Sequence, residues 1–103
     1  MFSKKSRYSF KKGLPNKVLP FPSFSLRYEK NEEGFRVAVV VSKKVDKSAV
    51  VRNKVKRKVL DILRDKNAES LPYNLIFYLR RNSLENKNLD KDIEEALQKI
   101  KNV

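Results

Sequence analysis

Between Val51 and Arg64 the chain interleaves apolar and cationic residues at helical spacing, and no other feature constrains its fold as strongly. At about 100° per residue, Val51, Val55, Val59, Ile62 and Leu63 gather on one side of a helix. Arg52, Asn53, Lys56, Arg57 and Arg64 gather on the other. One face is made to pack against a core. The other is made to meet dense negative charge, for which a phosphate backbone is the usual source.

The segments around this helix supply the layer it packs on. Residues 23–28 (Ser-Phe-Ser-Leu-Arg-Tyr) alternate, with Phe24, Leu26 and Tyr28 on one face and Ser25 and Arg27 on the other, as a half-buried strand does. Residues 29–34 (Glu-Lys-Asn-Glu-Glu-Gly) read as a turn, so the next strand, Phe35 to Ser42, is expected to return antiparallel beside the first. In that strand Phe35, Val37, Val39 and Val41 share one face and Arg36, Ala38, Val40 and Ser42 the other. Asn74 to Arg80 is apolar on both faces, which predicts a central strand. Strand, helix, strand in sequence implies a crossover to a parallel neighbour.

A last helix is expected over about Leu89 to Lys101, with Leu89, Ile93, Leu97 and Ile100 as its buried stripe. Its acidic start and basic end suit the helix dipole. A short first helix is expected over residues 3–12, stopped by Gly13 and Pro15. Residues 14–22 hold Pro15, Pro20 and Pro22 and are expected to be an extended connector, never a central strand. The expected fold is α+β: a small α/β sandwich in one domain over residues 1–103, with a mixed sheet and helices on one face. The opposite face would carry Ser25, Arg27, Arg36, Ala38 and Ser42 as a shallow polar trough.

Composition narrows the chemistry. The chain has no histidine and no cysteine, which removes zinc fingers, thiol nucleophiles, imidazole bases and disulfides. A reducing, cytoplasmic setting fits, and the first residues lack the apolar core of a signal peptide. No apolar run approaches a membrane span. Residues 1–66 hold 19 Lys and Arg against 6 Asp and Glu, whereas residues 67–103 hold 6 of each, so the whole net charge of +13 lies in the first part. Such asymmetry is a directed field. An anionic membrane would want aromatic or leucine anchors at helical spacing, which are missing, so nucleic acid is the expected partner.

A lysine-rich run is often only a solvated face. Here Arg52 and Arg57 offer planar forks suited to phosphate where lysine would serve solubility, and the Asn53 amide can both donate and accept. Phe24, Tyr28, Phe35 and Phe77 read as core. Phe10 and Tyr78 are open between core and a stacking platform for unpaired bases. Glu29, Glu32 and Glu33 read as a solvated turn rather than a metal site, since no converging oxygen ligands accompany them.

The string Ser42-Lys43-Lys44-Val45, Lys47-Ser48-Ala49-Val50-Val51-Arg52-Asn53 and Lys56-Arg57 resembles the protein subunit of bacterial ribonuclease P. That family carries S-K-K-[VI]-G-x-A-V-x-R-N-x-x-K-R-x-x-R on a helix after a valine-rich strand. Element order and length agree along nearly the whole chain. The chain departs from the pattern at Asp46, in place of a glycine and with one residue more before Ala49; at Leu60, in place of the last arginine; and at Ser6, where an aromatic is usual. By the helical wheel Leu60 falls on the polar side between Lys56 and Arg64, so Leu60→Arg is expected to be harmless, and Arg64 is the candidate substitute.

The resemblance implies the fold of the second domain of ribosomal protein S5 and a role in 5′-end maturation of precursor tRNA. It implies that the RNA subunit performs the hydrolysis with Mg²⁺, with no cofactor held by the protein alone and one protein per RNA. On that footing Lys43, Lys44, Lys47, Arg52, Asn53, Lys54, Lys56, Arg57, Lys58 and Arg64 are the candidates for contact with the catalytic RNA. Phe10, Arg27, Arg36, Tyr78 and Arg80 are the candidates for the single-stranded 5′ leader. The competing reading is a non-catalytic RNA-binding protein, such as a ribosomal protein, which would need the basic helix but no trough.

Overall fold

A computed structural model of the chain describes residues 15–80 and 88–101; the helix expected over residues 3–12, and Phe10 with it, lie outside them. Four strands and two helices follow in the order β1 (Lys17–Pro20), β2 (Phe24–Lys30), β3 (Arg36–Val40), α1 (Ala49–Asp65), β4 (Tyr73–Leu79) and α2 (Leu89–Lys101), with one 3₁₀ turn at Ala68–Ser70 before β4. The strands form one sheet in the order β1-β2-β4-β3. β1 and β2 each run antiparallel to their neighbour, and β3 runs parallel to β4. The mixed sheet and the crossover through α1 are those expected.

Two expectations about the strands need correcting. The proline-rich connector holds a strand: Lys17–Pro20 pairs antiparallel with β2, with Pro20 opposite Ser25. It sits at the sheet edge, where a proline's missing N–H leaves no gap in the ladder. The second correction concerns β2 and β3, which are antiparallel in direction but not neighbours, because β4 lies between them. Leu75, Ile76 and Phe77 explain the insertion. All three are fully buried, on alternating faces, and only a central strand can cover both faces. The 31–34 turn therefore spans a strand width. Asn31 Oδ1 accepts from the Glu33 N–H at 3.1 Å, and the Gly34 N–H donates to Asn31 O at 3.2 Å. Gly34 closes the turn at φ +127, a conformation that a side chain would strain.

Register sorts the sheet into two faces. Rows such as Leu26–Phe77–Val39 and Tyr28–Leu75–Val37 face the helices. With Val55, Val59 and Leu63 of α1 and Leu89, Ile93, Ala96, Leu97 and Ile100 of α2 they make one core. Phe24 stacks on Phe77 at 5.3 Å and on Phe21 at 4.9 Å between ring centroids. Both helices thus cover the face carrying Phe24, Leu26, Val37 and Val39, as the alternation predicts.

α1 begins one residue after Ser48, whose Oγ accepts from the Val51 N–H at 3.4 Å as an N-cap. Its end is tied to the start of α2. Lys66 Nζ lies 3.0 Å from Asp90 Oδ1 and 3.4 Å from Glu94 Oε2. The hydrogen bond to Asp90, helped by Glu94 and opposed by desolvation, holds the Lys66 ammonium above its ordinary 10.5.

Candidate nucleic-acid interface

Burial fixes the phase of α1. Val55, Val59 and Leu63 form its inner line, and Asn53, Lys54, Arg57, Lys58, Asp61 and Arg64 are exposed. Lys56 is half-buried at the margin. Lys43, Lys44 and Lys47 are exposed on the loop that leads into the helix. The side of α1 turned away from the core carries Asn53, Lys54, Arg57 and Lys58, and the three loop lysines directly precede it in the chain. Asp61 interrupts the cations toward the end of the helix, pairing with Arg64 at 3.3 Å. The cationic surface is therefore densest from Lys43 to Lys58.

Two residues differ from the sequence reading of this helix. Arg52 is not on the outer side. It precedes Val55 by three residues, which places it about 60° from that buried valine, and it is half-buried. Its Nη1 donates to the backbone carbonyls of Asp46 at 3.0 Å and Lys47 at 3.1 Å. Leu60 is also not solvated: it is half-buried and packs against the core. It follows the buried Val59 by one residue, about 100° round the helix, where an aliphatic side chain can still lean inward. Leu60→Arg should then lose about 1–2 kcal/mol of stability through lost apolar burial, the long arginine stem recovering part of it. Urea denaturation checks this; an unchanged midpoint would return Leu60 to the solvent side.

The far face of the sheet is built from three rows. Pro20, Ser25, Tyr78 and Val40 form one; Val18, Arg27, Ile76 and Ala38 the next; Glu29, Asn74 and Arg36 the third. Arg27, Arg36 and Tyr78 share this face, as expected, and are half-buried. Arg80 is exposed just beyond the strand. Arg27 is partly engaged within the fold, its Nη1 donating to Pro15 O at 3.2 Å.

Two residues change the polar trough expected on this face. Ile76 is fully buried between Arg27 and Ala38 and lies outside the main core. Glu29 is a strand residue rather than part of the solvated turn. Its Oε1 accepts from Asn74 Nδ2 at 2.8 Å, and Asn74 Oδ1 accepts from Asn31 Nδ2 at 2.9 Å. The alternation from Ser25 through Arg27 to Glu29 was the signal. That carboxylate shares its row with Arg36, on the other side of Asn74. Asp46, which stands where a glycine was expected, also acquires a role, its Oδ1 accepting from the Ser48 N–H at 2.7 Å.

Among the described residues no group of three or more His, Cys, Asp or Glu side chains could hold a metal ion. Nor is any described helix long and apolar enough to cross a membrane.

Comparison with known proteins agrees with this geometry. The family model for ribonuclease P matches residues 5–101. A Staphylococcus aureus RNase P protein mutant with defective mRNA degradation activity is similar at 27% identity, with 95% of this chain and 90% of that chain covered and a TM-score of 0.74. The S. aureus RNase P protein is similar at 28% identity, covering 88% and 83%, with a TM-score of 0.67. The RNase P protein from Thermotoga maritima is similar at 27% identity, covering 84% and 78%, with a TM-score of 0.56. A search of curated proteins gave no match. With a family match along almost its full length, and the same sheet and helices as solved bacterial members, the chain belongs to the ribonuclease P protein family, protein subunits of an endoribonuclease whose catalysis resides in RNA.

Proposed function

We propose that the chain holds two RNAs at once, the catalytic RNA on the exposed side of α1 and the 5′ leader of precursor tRNA on the far face of the sheet. Family membership brings association with ribonuclease P RNA and with precursor tRNA, and so a part in 5′-end maturation of tRNA. One observation carries the division between surfaces. α1 covers one face of the sheet, and Arg36 and Tyr78 lie on the other, so neither RNA need displace its neighbour.

Lys43, Lys44, Lys47, Lys54, Lys56, Arg57 and Lys58, with Asn53, would meet the phosphates of the catalytic RNA. Arg36 and Arg80 would meet leader phosphates while Tyr78 stacks on an unpaired base. Mg²⁺ would enter with the RNA, one protein would serve one RNA, and the assembly would work in the cytoplasm.

Arg36→Ala together with Arg80→Ala should lower holoenzyme affinity for precursor tRNA and leave mature tRNA, which has no leader, nearly unaffected. The effect should be similar for leaders of different sequence. It should fade with salt, each lost single-strand phosphate contact flattening the slope by about 0.7. Equal losses for both tRNA forms would move these arginines out of the leader path.

A further inference from the structure

The loop that carries Lys43, Lys44 and Lys47 is fixed at both ends. Near its start the Val45 N–H donates to Ser42 O at 3.0 Å, and the Val45 side chain packs against the core. At its end Asp46 Oδ1 accepts from the Ser48 N–H, and Ser48 caps α1. Across this joint lies Arg52. Its Nη1 carries two hydrogens, and two carbonyls, those of Asp46 and Lys47, stand within bonding distance of it.

A phosphate-binding arginine on a helix surface would normally be exposed and free to swing. Arg52 is half-buried and bound to backbone oxygen, which holds the guanidinium without neutralising it. We propose that Arg52 is a positioning residue for RNA: it clamps the Asp46–Lys47 backbone against the first turn of α1, so that Lys47 and its neighbouring lysines meet phosphates in register with Arg57. The proposal rests on α1 being the docking face for the catalytic RNA. Its physical advantage is preorganisation, because a loop held before binding loses less freedom on binding. Lysine ends one bond sooner, so its ammonium does not reach both carbonyls from the same backbone position.

The test compares binding of the full chain and its Arg52→Lys, Arg57→Lys, Arg57→Ala, Lys47→Ala and Arg52→Lys/Lys47→Ala variants to a bacterial ribonuclease P RNA across a KCl series, with melting temperatures alongside. Arg52→Lys keeps the net charge, so a flatter salt slope reports lysines that no longer reach phosphate. The clamp predicts that Arg52→Lys binds about tenfold more weakly, with a slope lower by about one contact or more. Arg57→Lys, a direct contact that keeps its charge, should stay within about threefold. Lys47→Ala should weaken the natural sequence clearly but add little to Arg52→Lys, since the two act as a unit. Natural affinity and slope in Arg52→Lys, or equal effects of Lys47→Ala in both backgrounds, would overturn the clamp. A lower melting temperature with unchanged slope would reduce Arg52 to a stability role and overturn it equally. If Lys47→Ala and Arg57→Ala both bind normally, the docking face itself is misassigned and the clamp falls with it.

Discussion

Replacing Lys54, Arg57 and Lys58 together with alanine should weaken binding to ribonuclease P RNA by about 10²–10³-fold at low salt and leave the protein folded. All three side chains are exposed on α1, outside the buried line of Val55, Val59 and Leu63, so their truncation opens no cavity. Alanine is the best helix former, so α1 should keep its stability or gain slightly. At a solvated surface each bond to phosphate is worth about 1–1.4 kcal/mol net, and three total about 3–4 kcal/mol, which gives the range above at 1.36 kcal/mol per tenfold. The plot of affinity against salt should flatten by about two to three units, one contact contributing about 0.7–0.9. Filter binding over a KCl series, with circular dichroism melts, measures both quantities. A loss under threefold with an unchanged slope would show that the exposed side of α1 is only a solvated face.

Phe77→Ala should be as damaging to the fold as the triple variant is to binding. Phe77 is fully buried in the central strand, flanked by Leu26 and Val39 and stacked on Phe24 at 5.3 Å. Truncation removes its transfer free energy and leaves a cavity that β2 and β3, each tied to β4, cannot close. The expected loss is about 3–5 kcal/mol, a large share of the roughly 5–15 kcal/mol that holds a domain of this class. Urea denaturation should show a much lower midpoint, or a chain unfolded without denaturant. Tyr78→Ala, one residue on and facing the other way, should lose far less, because Tyr78 is only half-buried on the far face. Similar losses for the two would contradict the assignment of faces.

Period was legible in this sequence, whereas neighbourhood was not. Alternation in Phe24–Tyr28 and Val37–Val41, and the two apolar faces of Leu75–Phe77, gave the strand faces and the central place of β4. The place of β4 between β2 and β3 was not legible, because a turn at residues 29–34 is compatible with a hairpin or with a wider gap. β1 was hidden by its prolines, which exclude a central strand but allow an edge one.

On α1 the stripe of Val55, Val59 and Leu63 was plain from spacing, and so was the outward side at Arg57. The margins were not. Leu60 leans into the core and Arg52 turns back onto carbonyls, and both depend on partners far round the helix or before it. The bond from Asp46 to the Ser48 N–H, just before the cap of α1, belongs to a residue that stands where the family pattern has glycine.

The most direct measurement of the whole account is cleavage of precursor tRNA at low Mg²⁺ by three mixtures: this chain alone, a bacterial ribonuclease P RNA alone, and the two together. No cleavage by the chain, little by the RNA, and efficient release of the intact 5′ leader by the pair are expected. Cleavage by the chain alone, or a pair no faster than the RNA by itself, would contradict it.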